Sequence, residues 1–122
     1  MNFRLRTSAD TAEILKNLQS STKLTPNVLS RLAVSLSLKI PEAPSAKLAD
    51  TSGLEFNRNT LTGEFDYVYK ALITQYMKRE VQDEEFFPDL FNAHLERGIK
   101  LLENEYRHAG NADGFFHNLL KI

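Results

Sequence analysis

The chain contains no cysteine among its 122 residues. It therefore forms no disulfide, and it has no thiol nucleophile and no thiolate ligand for zinc or an iron–sulfur cluster. The phosphate-binding motifs G-x-x-x-x-G-K-S/T and G-x-G-x-x-G are also absent, so we expect no nucleotide hydrolysis. No apolar run approaches the roughly 18 residues of a membrane span. These absences favour a cytoplasmic protein that is not an enzyme and has no cofactor.

The overall amino-acid composition is ordinary for a globular protein. Hydrophobic residues make up 42% of the chain and charged residues 25%, values that are typical of soluble domains. A chain of this length buries a modest core and rarely divides. No repeat or low-complexity tract divides the chain, so we expect a single domain over residues 1–122.

Charge is unevenly distributed along the chain, although the net charge is only −1. Residues 1–40 carry six Lys and Arg against two Asp and Glu, whereas residues 41–122 carry nine against fourteen. This separation indicates an anionic partner at the basic end. The alternative is an uneven spread of solvated charge without a function.

The first third of the chain predicts a strand followed by two helices. Residues 3–7 alternate between apolar and polar, which is the period of a strand with one apolar face. An apolar helical stripe then runs to Leu18, and residues 20–22 are expected to break it. Thr25-Pro26 predicts a second start, because Thr caps free N–H groups and Pro suits the first helical position.

The remainder predicts helices that follow a long polar loop, residues 41–62, in which residues 54–56 are extended. Three further helices are expected, over residues 63–79, 88–108 and 113–120. Gly98 lies inside the longest of them, where glycine costs roughly 1 kcal/mol against alanine, so we expect two helices to approach closely there. The fold class is mainly α, or small α+β, with one short N-terminal strand followed by four to five helices. The N-terminal half is ribbon-helix-helix-like.

A single strand would leave backbone N–H and C=O groups unpaired. Pairing with its copy in a second subunit would satisfy these groups and produce a symmetric dimer. The many Phe and Tyr residues after position 64 also indicate apolar surface beyond the core of one chain. We therefore expect a homo-oligomer.

Histidines and carboxylates form no recognisable catalytic or metal-binding pattern. None of the three histidines lies in an H-E-x-x-H motif, and His94 is expected to be a hydrogen-bonded core residue. The acidic run over residues 80–85 is typical of a solvated turn. We expect no metal site, and a metal-dependent nickase is the least favoured interpretation.

Basic residues are the remaining functional candidates, because phosphate binding needs several cations within reach of successive phosphates. Two arginines lie on the polar face of the predicted strand, and four cations lie on or beside the first two helices. The candidate DNA-binding residues are Arg4, Arg6, Lys16, Lys23, Arg31 and Lys39. Two alternatives stay open: a ribbon-helix-helix transcriptional regulator that reads bases through the strand, and a protein-interaction module without DNA contact.

Three segments of the chain match a known family in their order and spacing. The segments are Arg4-Leu5-Arg6 through Asn27-Val28-Leu29-Ser30-Arg31, Arg58-Asn59-Thr60-Leu61-Thr62-Gly63 with Tyr69-Lys70-Ala71-Leu72, and His94-Leu95-Glu96-Arg97-Gly98-Ile99. Over roughly residues 4–106 the chain resembles the DndE family, the small subunit of the bacterial DNA phosphorothioation system, which replaces a non-bridging phosphate oxygen with sulfur.

The resemblance implies a mainly helical homotetramer that binds double-stranded DNA through surface lysines and prefers nicked duplex. It also implies a cysteine desulfurase, an iron–sulfur protein and an ATPase as partners, as in a restriction-modification system. Lys23 stands where the family usually has glycine. Sulfur transfer needs a thiol, a persulfide or an iron–sulfur centre, so we expect this cysteine-free chain to be a non-catalytic DNA-binding or scaffold subunit.

Overall fold

The computed structural model describes residues 3–45, 48 and 50–121. Among these residues, two short strands and six helices follow one another: β1 Arg4–Arg6, α1 Ala9–Thr22, α2 Pro26–Ser37, β2 Glu55–Asn57, α3 Arg58–Leu61, α4 Asp66–Met77, α5 Phe91–Ala109 and α6 Ala112–Leu119. A 3-10 turn, Gly63–Phe65, leads into α4, and an irregular helical segment, Glu85–Leu90, leads into α5. The predicted mainly α fold class is confirmed, and the single turn of α3 is an addition to it.

Side-chain caps fix the starts of the first two helices. Ser8 caps α1 and Thr25 caps α2, each by accepting a backbone N–H of the first turn, and Pro26 opens α2. The start predicted at Thr25-Pro26 is confirmed. The break predicted at residues 20–22 is wrong, because α1 continues to Thr22, whose buried hydroxyl donates to the Leu18 carbonyl (2.7 Å).

The helices α2 and α5 pack closely against each other in the core. A Cβ at Gly98 would lie 1.8 Å from the carbonyl oxygen of Ala33, so only glycine allows the two backbones to approach this closely. The close approach predicted at Gly98 is confirmed. The fully buried apolar side chains of these two helices and their neighbours include Leu15, Leu29, Phe91, Leu95, Ile99 and Leu102.

The strand β1 finds its partner within the same chain. It pairs antiparallel with β2, in the register Arg4 to Asn57, Leu5 to Phe56 and Arg6 to Glu55. The Arg6 carbonyl also accepts a hydrogen bond from Nδ2 of Asn92, a residue of α5 (2.9 Å). The extended piece expected near residues 54–56 is therefore present. The expectation that β1 needs a copy of itself as partner is wrong, because the loop that follows α2 supplies β2.

The helix α4 covers little of the core. Ile73 is its one buried residue, whereas Phe65, Val68 and Leu72 are 46%, 47% and 41% exposed. The helix predicted over residues 63–79 is confirmed, but much of its apolar stripe faces away from the core. This arrangement leaves an apolar face beside α2.

A buried arginine joins α3 to α4 and to the segment before α5. Arg58 makes two hydrogen bonds to Asp66 (2.8 and 2.9 Å) and two to Asp83 (2.8 and 3.0 Å). Its guanidinium also lies 5.2 and 5.0 Å from the ring centroids of Phe86 and Phe87. The hydrogen bonds to Asp66 and then Asp83 raise the pKa of Arg58. Arg58 is therefore engaged inside the protein and adds no cation to its surface.

Candidate nucleic-acid interface

The two strand arginines converge on one carboxylate. Arg4 and Arg6 flank the buried Leu5 and have side chains that are 66% and 53% exposed. Arg4 Nη1 lies 2.8 Å from Glu55 Oε2, and Arg6 Nε lies 3.4 Å from Glu55 Oε1. Both arginines lie on one face of the strand, as predicted, and the carboxylate of Glu55 lies between them.

Two exposed lysines belong to α1 and to its C-terminal cap. Lys16 and Lys23 are seven residues apart, which is two helical turns and about 10 Å along the axis, and both are exposed. This separation exceeds the spacing of neighbouring phosphates, so the two lysines would contact different phosphates of a duplex. Lys16 also lines a groove of about 480 Å³ between α1 and residues 52–54.

Lys23 ends α1 in a left-handed backbone conformation, with φ at +66°. This conformation costs about 1–2 kcal/mol for a residue other than glycine, which explains why glycine is common at helix ends of this kind. The backbone N–H of Lys23 donates to the Gln19 carbonyl (2.9 Å) and completes the cap. A cation at this end of a helix also interacts favourably with the helix dipole.

The last two candidates lie on and just beyond α2. Arg31 is half-buried, because its Nη1 donates to the Leu61 carbonyl (2.9 Å) and its guanidinium lies 5.7 Å from the Phe65 ring centroid. Lys39 is exposed just beyond the end of α2. Both residues line adjoining grooves that share Ser35. Arg31 therefore has a structural partner, whereas the side chain of Lys39 extends from the surface.

The structure thus divides the six predicted residues into three pairs. The strand pair is Arg4 and Arg6, the α1 pair is Lys16 and Lys23, and the α2 pair is Arg31 and Lys39. Five of the six side chains belong to exposed residues, and only Arg31 is half-buried.

Glu55 is a functional candidate that was not predicted from the sequence. It lies on β2, directly opposite Arg6 in the strand register. The sequence contained a partial signal, because residues 54–56 were expected to be extended. The partner of that extended piece was not identified, so the approach of Glu55 to two arginines could not be predicted.

An apolar groove of about 270 Å³ separates α2 from α4. Arg31 is the one charged side chain in its described lining. The other lining residues are Val28, Leu32, Ser35, Phe65, Val68, Tyr69 and Leu72. This groove contains most of the exposed apolar face of α4.

His94 is a core residue, as predicted. It is fully buried, and its Nδ1 lies 2.9 Å from Ser37 Oγ, which also accepts a hydrogen bond from Arg97 Nε (2.8 Å). Burial, and secondarily the charge of Arg97, lower the pKa of His94 to about 4. The imidazole is therefore neutral at neutral pH and holds α5 against the end of α2.

Within residues 3–45, 48 and 50–121, no three His, Cys, Asp or Glu side chains are arranged to hold a metal ion. In the same part of the chain, no helix combines the length and the apolar character that crossing a membrane requires.

Residues 4–110 match the model of the DndE family, described as DNA sulphur modification protein DndE. Among solved structures, the chain is similar to DndE from Escherichia coli B7A, which is involved in DNA phosphorothioation modification. That match has a TM-score of 0.65 and 25% identity, and it covers 81% of this chain and 96% of the other. A glycine-to-lysine mutant of DndE has a similar fold, with a TM-score of 0.65, 24% identity, and coverage of 85% and 99%. None of the curated proteins matches the chain in a sequence search.

Proposed function

Because the chain belongs to the DndE family of DNA sulphur modification proteins, which indicates a role in DNA phosphorothioation, we propose that it is a non-catalytic subunit that binds double-stranded DNA. It holds the duplex while other proteins exchange oxygen for sulfur. Sulfur transfer needs a thiol, a persulfide or an iron–sulfur centre, and this chain has no cysteine. Its partners would accordingly be a cysteine desulfurase, an iron–sulfur protein and an ATPase.

The observation that carries the proposal is the pair of exposed lysines on α1. Lys16 lies on α1, and Lys23 caps the C-terminal end of that helix about 10 Å further along its axis. Both lysines are exposed, and the exposed arginines of β1 precede the helix. Contacts from lysine to phosphate position a protein on DNA without reading its sequence. Such binding suits a subunit that receives duplex DNA for modification by others.

The test compares two double variants that remove the same charge from different places. Lys16→Gln with Lys23→Gln removes two proposed phosphate contacts, and Lys78→Gln with Lys100→Gln removes two exposed lysines from the C-terminal half. The first pair should bind a duplex more than tenfold more weakly at 0.1 M salt, because each lost contact removes about 0.9 from the salt slope. The control pair should change affinity less than threefold.

Equal losses in the two pairs would contradict the assignment to α1. Nicked and intact duplexes of one sequence, measured side by side, test the preference for nicked DNA. An excess of random DNA tests the regulator alternative, because a sequence-specific regulator would remain bound to its operator whereas this subunit should be displaced.

The apolar groove between α2 and α4 supports assembly into a homo-oligomer, which we take to be a tetramer. Val68→Asp places a charge in this groove and should reduce the oligomer to smaller species in light scattering. Tyr67→Asp is the matched control, because Tyr67 lies next to Val68 but is not part of the groove. A wild-type protein that is a stable monomer would contradict the assembly.

A further inference from the structure

We propose that Arg4 and Arg6 form one clamp for a single DNA phosphate, and that the carboxylate of Glu55 occupies this clamp when DNA is absent. The inference rests on the proposed function, since it names the group that the strand arginines receive. It adds an autoinhibitory contact that DNA must displace.

The clamp follows from the strand geometry. Residues two apart on a strand point to the same face, with Cα atoms about 7 Å apart. Arg4 and Arg6 each contact a different oxygen of the Glu55 carboxylate, at 2.8 and 3.4 Å. A phosphodiester has the same features, because it carries one negative charge shared by two oxygens, and arginine binds both groups with the same planar donors.

Exchange between the carboxylate and a phosphate needs only side-chain rotation. The Glu55 side chain is 37% exposed, and exposed ion pairs are weak. The strand itself stays in place, because the neighbouring Phe56 is buried and pairs with Leu5. Glu55 therefore leaves the arginines without disturbing β2.

A second exposed ion pair provides a matched control. Glu85 accepts hydrogen bonds from Arg79, and the two side chains are 36% and 47% exposed. Glu55→Gln and Glu85→Gln therefore remove the same charge from the same kind of surface ion pair. They differ in whether the ion pair that is removed involves the clamp arginines.

The experiment measures binding of both variants to an intact duplex over a range of salt concentrations. E55Q should bind about three- to tenfold more tightly than wild type, because a like charge no longer competes for the arginines. Its salt slope should steepen by roughly 0.9, since a displaced Glu55 would take up one cation. E85Q should stay within twofold of wild type, with an unchanged slope.

Two further experiments test whether the gain in affinity of E55Q comes from the clamp. In a background with both Arg4→Gln and Arg6→Gln, E55Q should give no gain, because neither arginine that would receive the phosphate is present. The gain should also be the same on nicked duplexes that end in a 5′-phosphate or a 5′-hydroxyl, because a backbone phosphate fills the clamp. Should E55Q lose thermal stability, Glu55→Asp replaces it, since the shorter carboxylate reaches the arginines less well and should give part of the gain.

Equal effects of E55Q and E85Q would overturn the clamp, as would a gain that survives replacement of both Arg4 and Arg6. A gain confined to the 5′-phosphate nick would overturn the assignment to a backbone phosphate. These outcomes require that the wild-type protein binds DNA. A wild-type protein that does not bind refutes the proposed function instead, so the two failures are distinguishable.

Discussion

Replacing Lys23 with glycine should stabilise the fold and weaken DNA binding at the same time. Lys23 has φ at +66°, a conformation that costs a residue other than glycine about 1–2 kcal/mol. Glycine loses more conformational entropy on folding than lysine does, which offsets roughly 0.5–1 kcal/mol of this stabilisation. The difference between the two ranges is a net gain centred on about 0.75 kcal/mol, which corresponds to a rise in melting temperature of roughly 2–4 °C.

The same substitution removes one proposed phosphate contact. The salt slope of duplex binding should fall in magnitude by roughly 0.9, which is about an eightfold loss of affinity at 0.1 M salt. Lys78→Gly is the matched control, because Lys78 ends α4 with φ at +57°. It should give a similar rise in melting temperature without the change in slope.

Circular dichroism during thermal unfolding measures the change in melting temperature. Fluorescence anisotropy on a labelled duplex measures the change in salt slope. A K23G protein that is no more stable than wild type would refute the argument from backbone strain. An unchanged salt slope would refute the role of Lys23 in phosphate binding, whatever the effect on stability.

Two further predictions concern the core between α2 and α5. The buried hydroxyl of Ser30 has no hydrogen-bond partner among the described residues. Ser30→Ala should therefore raise the free energy of unfolding, measured in urea, by about 1 kcal/mol. A decrease of more than 1 kcal/mol would refute this. The pKa of His94 is about 4 in the folded protein and about 6.5 in the unfolded chain. The unfolded state therefore binds more protons between these values, and the free energy of unfolding falls as the pH drops from 6.5 towards 4. Between pH 7 and pH 5 the wild-type protein should lose about 2 kcal/mol more than His94→Gln; equal losses in the two proteins would contradict the burial of a neutral imidazole.

Features that depend on neighbouring residues were predictable from the sequence. The start of α2 follows from Thr25-Pro26, because the capping group and the fixed proline φ act within one turn. The close contact at Gly98 follows from a glycine inside a strong helical pattern, since such a residue costs stability unless a second backbone approaches. The core position of His94 follows from the same pattern.

Features that depend on distant residues were not predictable. The start of α1 is held by Glu96, whose carboxylate accepts hydrogen bonds from Ser8 N (2.9 Å) and Ser8 Oγ (2.7 Å), and by Asp50, which accepts one from Ala9 N (2.8 Å). No local pattern specifies these contacts. Apolar surface after position 64 was expected, but the residues of α4 that face outward were not predictable, because periodicity identifies an apolar stripe and not what covers it.

The candidate site was predictable only in part. Charge density selected the basic end of the chain, and alternation placed Arg4 and Arg6 on one face. The pairing of β1 with β2 brings Glu55 to those arginines, and helix packing turns Arg31 toward the Leu61 carbonyl. These arrangements depend on tertiary structure, so a list of cations could not separate exposed candidates from one that is partly engaged within the protein.

The salt dependence of wild-type binding to a plain duplex tests the central claim most directly. With three to six phosphates contacted, the logarithm of the binding constant should fall linearly with the logarithm of the salt concentration, with a slope of about −3 to −5. Absence of binding at 50 mM salt, or affinity that does not change with salt, would show that this chain does not hold DNA through its phosphates.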